Sequence, residues 1–389
     1  MVKIIVNQLS HLIGVLIVAG IGLFLPVGIG FSQTENSNIA SNVDEWQAAD
    51  PDYVLSFPQD HAAHADHKIE WWYYTGNVTA EGGRQFGYQL TFFRVGVQYK
   101  PVNPSRWAVR DLYLAHFAVT DVSRSVHYVD ERLNRAGVGW AGASAQEFHV
   151  WNDDWRASLE GTVHHLKAIS SDRDFSIELY LDGTSDPILH GLNGFSKKGS
   201  DIRNSSHYYS LTRLETVGRL TVDGESFDVS GVSWMDHEFG SSFLEPSQVG
   251  WDWFSLQLGD DTDLMLYQLR RIDGRRDAHS AGTLVLNDGT IHSLGASDYE
   301  LTAGRRWTSN TSGANYPVEW RIRIPSHSIS LAVTAAVDDQ ELVTDRSTGV
   351  TYWEGAIEVT GTRDGVPTRG KGYLEMTGYS GPPLSTVLR

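Results

Sequence analysis

Apolar and polar positions alternate with a period of two through most of the chain. Phe86, Tyr88, Leu90 and Phe92 share one parity, and Phe175, Ile177, Leu179 and Leu181 alternate with Ser176, Glu178 and Tyr180. Farther on, Val318, Trp320, Ile322 and Ile324 oppose Glu319, Arg321 and Arg323, while Trp353, Ile357 and Val359 oppose Glu354 and Glu358. This is the pattern of half-buried strands, whose side chains point to alternate faces. Asp-Gly pairs at Asp182-Gly183, Asp223-Gly224, Asp273-Gly274, Asp288-Gly289 and Asp364-Gly365 separate such runs and suit the positive φ angles of tight hairpins. No long stretch holds a helical period, and strands do not alternate with amphipathic helices, so a parallel sheet is excluded. The pattern predicts an all-β protein of consecutive antiparallel strands, closed into barrels because closure removes exposed sheet edges.

At 389 residues the chain has room for two such barrels. Trp72-Tyr73-Tyr74 before Tyr88-Gln89-Leu90 is echoed by Trp253-Phe254 before Tyr267-Gln268-Leu269, which points to two related units. Gly240-Ser241-Ser242 and Glu245-Pro246-Ser247 supply loop chemistry between them, placing one barrel at 46–240 and the next at 249–389. Ahead of both, Lys3 precedes an uncharged run from Leu12 to Phe31, with Gly30 and Ser32 set for a cut before Gln33. Residues 1–32 thus read as an export signal, or as an anchor close to the membrane if uncleaved, and 33–45 as a polar linker. The protein is expected to be exported, either periplasmic or secreted.

Charge and cysteine content narrow the partners. Acidic residues outnumber Lys plus Arg by 48 to 31, a net charge of −17, which disfavours nucleic acid. With no cysteine, disulfides and thiolate metal sites are excluded. There is no nucleophile elbow, phosphate-binding loop or dinucleotide fingerprint.

Candidate chemistry lies in a few dense motifs. Glu70-Trp71-Trp72-Tyr73-Tyr74 places a carboxylate at the head of a strand with rings on both faces; a rim position or an ion pair accounts for Glu70, and core packing for the rings, as readily as a site does. Asp60, His61, His64, Asp66 and His67 crowd eight positions but match no familiar zinc spacing, so a polar loop explains them and no metal is assigned. In Trp234-Met235-Asp236-His237-Glu238-Phe239, a strand puts Asp236 and Glu238 on one face and His237 on the other. Three ionisable groups between large apolar residues would be costly to desolvate unpaired, so Asp236 and His237 are expected at the junction of the domains, in a site or in a buried docking network. His116 on LYLAHFAV either lines a cavity or is a satisfied core histidine, and Asp252 lies opposite Trp251 and Trp253.

With HKIEWWYYTGNV at 67–78, RDLYLAHFAV at 110–119, GVSWMDHEFGSS at 231–242, GWDWFSLQL at 250–258, and TYWEGAIEVTG and RGKGYLEMTGY near the end, the chain resembles the AttH and carotenoid 1,2-hydratase (hydroxyneurosporene synthase) family. That resemblance implies two consecutive lipocalin-like barrels. It also implies either hydration of a C=C bond in an extended apolar molecule, as in the carotenoid branch, or cyclisation of a polyene, or the secreted-hydrolase role often attached to exported members. A non-catalytic carrier, needing only the cavity lipocalin barrels commonly provide, is the competing reading. For hydration, the local chemistry offers Asp236, His237 and Asp252 as catalytic candidates. Glu70, Trp71, Trp72, Tyr73, His116, Trp253 and Tyr267 are the ligand-binding candidates, with aromatic faces to stabilise a cation and no cofactor demanded.

Overall fold

A computed structural model describes residues 46–387 apart from 171, 184 and 243; the expected signal and linker lie outside the described residues. Antiparallel strands dominate from Ile69 to Met376. Two of the Asp-Gly pairs, Asp223-Gly224 and Asp364-Gly365, have positive φ at both positions, the turn that joins Ser205–Val222 to Glu225–Ser242 and Thr351–Arg363 to Val366–Met376. Asp182-Gly183 differs: Phe175–Asp182 ends there and the chain runs on along Ser205–Val222, with which Ile188–Leu189 pairs next, rather than turning back.

Two large sheets result, the antiparallel barrels expected from the alternation, with the lipocalin-like form that the family resemblance implies. The first contains strands between Ile69 and Ser242 and is a nearly closed barrel; the second contains strands between Gln248 and Met376. Both have the same topological seam. In the first, the opening strand Ile69–Ala80 lies between Gln85–Gly96 and the closing strand Glu225–Ser242. In the second, Gln248–Leu258 lies between Asp263–Arg271 and Val366–Met376. The Gly240-Ser241-Ser242 segment, expected as a turn, is the end of a strand instead, and Gly240 is needed there because a Cβ would lie 2.7 Å from the Ser205 carbonyl oxygen.

Each barrel is filled by its own side chains. Trp72, Tyr74, Tyr88, Leu90, Trp155, Leu179 and Met235 pack the first core, and Phe254, Leu266, Trp320, Ile322, Trp353 and Leu374 the second. Burying each large apolar side chain contributes about 1.5–3 kcal/mol, so these interiors are the main source of stability. The sequence echo does not survive as equivalent positions: Trp72 and Tyr88 point into the first core, whereas Trp253 and Tyr267 point out of the second barrel.

What they point toward is the other barrel. Tyr73, Tyr208, Trp234, Trp253, Met265, Tyr267, Leu269 and Tyr373 form a third apolar cluster where the outer faces of the two sheets meet. Polar contacts cross the same seam, including Asn77 Nδ2 to the Gly372 carbonyl at 3.2 Å, Thr120 Oγ1 to Gln340 at 2.8 Å and His190 Nδ1 with Thr283 Oγ1 at 2.8 Å. Gly87 allows this approach, since a Cβ would come within 2.7 Å of Ala356.

Candidate active site

The space expected inside a barrel lies between the barrels. A cavity of about 340 Å³ is bounded on one side by Trp71, Tyr73, Phe93, Leu114, His116 and Asp236 and on the other by Trp251, Trp253, Tyr267, Tyr352, Glu354 and Glu375. Strand geometry explains the selection. On Ile69–Ala80 the odd positions Trp71 and Tyr73 face the cavity, while Glu70, Trp72 and Tyr74 face the first barrel's interior.

Four carboxyl groups line this apolar space; Glu238 is paired with Lys198, and Asp236, Glu354 and Glu375 have no cation partner among the described residues. Asp236, 4 % exposed, accepts hydrogen bonds from Tyr208 OH at 2.5 Å, Trp234 Nε1 at 2.6 Å and Ser210 Oγ. Burial pushes its pKa up to about 7 against those three donors, which favour the ionised form, with the Glu238 charge adding to the rise. Glu375 accepts from Trp251 Nε1 at 2.8 Å, and burial raises it likewise to about 7. Glu354 is the most isolated. Tyr73 OH donates to its Oε1, and its buried Oε2 has no hydrogen-bond partner among the described residues. Burial, followed by the neighbouring Glu375 charge, raises the Glu354 pKa well above its ordinary value and so favours the protonated acid.

The aromatic wall is itself braced. Trp253 Nε1 donates to Tyr208 OH at 3.0 Å, which passes the contact on to Asp236. Tyr73 and Trp253 meet edge to face with ring centroids 5.2 Å apart. His116 pairs with Tyr352 OH at 2.7 Å and Ser347 Oγ at 2.9 Å, and burial lowers its pKa to about 3, so it lines the cavity as a neutral ring. Next to Tyr208 and Tyr267 sits Lys198, with Nζ 3.1 Å from Glu238.

Of the residues singled out from the sequence, the fold brings Trp71, Tyr73, His116, Asp236, Trp253 and Tyr267 to this one cavity. It turns the others away. Glu70, Trp72 and His237 belong to a separate cluster inside the first barrel, so His237 does not share the barrel junction with Asp236. There Glu70 receives Arg94 Nε at 3.0 Å, His64 Nδ1 at 2.9 Å and His237 Nε2 at 3.0 Å. Burial alone would raise Glu70, but Arg94 first, then the His237 and His64 hydrogen bonds, hold it well below its ordinary value. Burial keeps His237 neutral, so Arg94 and His64 supply the balancing charge. Asp252 is also occupied elsewhere: its carboxylate pairs with Arg270 at 3.2 Å and accepts from Gln268 at 2.7 Å and Tyr379 at 2.9 Å. That leaves it on the face opposite Trp251 and Trp253, away from the cavity.

Donor atoms of His64, Glu70 and His237 lie within 4.8 Å of one another, close enough to hold a metal ion. Each is already hydrogen-bonded, and the Arg94 guanidinium beside Glu70 opposes a second cation. The neighbouring histidines do not join them, since His61 Nδ1 pairs with Tyr209 OH at 2.6 Å and His67 Nδ1 donates to the Gln47 carbonyl at 2.9 Å.

Glu354, Glu375, Tyr208 and Lys198 escaped the reading of the sequence. For the two glutamates a signal existed: TYWEGA and GYLEM each set one carboxylate inside an aromatic-rich strand. Glu354 reads as solvent-facing because it alternates with Trp353, but the outer face it occupies is covered by the first barrel.

The fold has counterparts. A family model described as AttH-like matches residues 48–379. An AttH-type crystal structure from Nitrosomonas europaea is 35 % identical, superposes with a TM-score of 0.78, and covers 86 % of this chain and 100 % of its own. The fold is shared with kievitone hydratase from Nectria haematococca at 17 % identity and a TM-score of 0.64, over 84 % of this chain and 94 % of that one. Among curated proteins, the dehydratase AsqC of Emericella nidulans is 21 % identical over 223 residues, which is 54 % of this chain and 60 % of AsqC, so the match spans less than two thirds of that relative. The chain belongs to the AttH-like family.

Proposed function

We propose that the protein is a hydro-lyase that adds water to, or removes it from, an extended apolar molecule of polyene or isoprenoid type held between the two barrels. The observation that carries this reading is Glu354, a buried carboxyl in an apolar cavity with one oxygen unpartnered among the described residues and its pKa raised well above the ordinary value. A neutral acid positioned against substrate contributes about 10²–10⁴ in rate. Asp236, which titrates near 7, is the complementary proton acceptor. In one cycle Glu354 gives a proton and Asp236 takes one, while water enters or leaves between them. Tyr73 and Trp253 line this space, and an aromatic face turned toward the reacting carbon stabilises positive charge by about 0.5–2 kcal/mol. The names of two relatives, a hydratase and a dehydratase, support the same class of chemistry.

The test is mass spectrometry of polyene and isoprenoid lipids incubated with the protein. We expect a product differing from its precursor by one water, and a fall of about 10²–10⁴ in that conversion for Glu354→Gln. Tight binding with no change in mass would contradict catalysis and favour a carrier; undiminished conversion by folded Glu354→Gln would remove Glu354 from the chemistry.

A further inference from the structure

Lys198 has no task in the chemistry described so far. It is 7 % exposed, lines the cavity, donates to Ser196 Oγ at 2.9 Å and pairs with Glu238 at 3.1 Å. An ammonium has three N–H groups; the Tyr267 hydroxyl also interacts with it, and the Tyr208 and Tyr267 rings lie 4.8 Å and 4.3 Å from it. A buried ion pair at an apolar wall adds little stability that apolar side chains would not supply, so its presence favours a binding task. Its position relative to Asp236 defines the task. Asp236 and Glu238 lie two residues apart on one strand face, about 7 Å. Tyr208 touches both partners, with its hydroxyl on Asp236 and its ring beside Lys198.

Resting on the hydro-lyase reading, we propose that Lys198 receives a carbonyl oxygen, and that the substrate is an apolar β-hydroxy carbonyl compound or the enone it forms. A neutral acceptor fits because Glu238 already balances the lysine, and a carboxylate would be repelled by it. In the dehydration direction Asp236 takes the proton from the carbon next to the carbonyl. The C–H electron pair forms an enolate whose oxygen is held by the Lys198 N–H. Collapse of the enolate restores the C=O, forms the new C=C and breaks the Cβ–O bond, and the departing hydroxyl takes the Glu354 proton and leaves as water. Hydration is the reverse.

The test uses β-ionone, a conjugated ketone with an apolar body, against the oxygen-free terpene farnesene. Binding is followed by tryptophan fluorescence and by the enone absorption band, which moves to longer wavelength when a cation hydrogen-bonds the oxygen. Wild type should bind β-ionone with that shift, and Lys198→Met should lose the shift and bind at least about tenfold more weakly, with farnesene binding unchanged. Because Lys198→Met strands Glu238, the double variant Lys198→Met with Glu238→Gln is measured alongside, and both are checked by circular dichroism. Equal β-ionone binding by wild type and the folded variants, a band that does not move, or no β-ionone binding at all would overturn the proposal. Turnover separates the two readings: hydration of an oxygen-free polyene equally by wild type and Lys198→Met sinks the carbonyl inference alone. A Lys198-dependent shift with no conversion between enones and β-hydroxy ketones sinks the hydro-lyase reading alone.

Discussion

The neighbouring strands Ile69–Ala80 and Glu225–Ser242 separate two carboxyl clusters, one on each of their faces. Toward the first barrel's interior, Glu70 is fully buried and fully compensated by Arg94, His64 and His237, so it stays ionised. Toward the second barrel, Asp236 and Glu354 are nearly as buried and Glu375 is partly buried, yet no cation pairs with any of them among the described residues. The pKa shifts are opposite: that of Glu70 is lowered and those of the other three are raised. The difference lies in partners: a balanced carboxylate is part of the architecture, and an unbalanced one keeps its proton and can give it away.

The largest effect should come from breaking the balanced cluster. Arg94→Met leaves Glu70 charged and buried with too few partners, and is expected to cost about 3–5 kcal/mol in urea unfolding. Glu354→Gln, which keeps the acceptor for Tyr73, should cost less than about 1 kcal/mol. Equal losses would erase the distinction between the clusters. An intermediate effect is expected at Asp252, whose partners resemble those of Glu70: Asp252→Asn should lose about 1–3 kcal/mol of stability while conversion of substrate stays within a few-fold of wild type. A large loss of conversion at full stability would return Asp252 to the site.

The smallest effect is a slope. Glu375 has a folded pKa of about 7, above its unfolded value, so the folded state holds more protons between about pH 4.5 and 7 and this contribution to stability falls as pH rises through that window. Buried histidines such as His61 and His207, with pKa values lowered to about 4, act in the opposite direction and would mask it in the wild type alone. They cancel in the difference between wild type and Glu375→Gln. That difference should fall with rising pH by up to about 1.4 kcal/mol per unit and flatten above pH 7. A flat difference would place Glu375 with the compensated groups.

Much of this architecture was legible in the chain. Period-two alternation gave the strands, and turns such as Asp223-Gly224 gave their antiparallel order. The opposed facing of Asp236 and His237 followed from one strand's geometry. Which parity faces a core and which faces the cleft did not follow. At the seam both faces of a strand are buried, so motifs such as GWDWFSLQL carry large apolar residues on each and the contrast that marks an inside is lost. Glu354 was hidden for a related reason: it meets Tyr73 from 281 positions away, and no local pattern reports that the second barrel's outer face is covered. Lys198 comes just after the short strand Phe195–Lys197, where the sequence has no periodicity to orient it.

The most direct test of the account is the infrared signature of carboxyl groups at neutral pH. A protonated carboxylic acid in an apolar site has a C=O stretch well separated from the bands of ionised carboxylates. Such a band is expected in the wild type at pH 7. It should be diminished in Glu354→Gln and unchanged in Glu70→Gln, with a further component titrating near pH 7 from Asp236 and Glu375. Absence of a protonated carboxyl at pH 7, or its loss in Glu70→Gln rather than Glu354→Gln, would contradict the claim that the cavity between the barrels holds an acid ready to donate its proton.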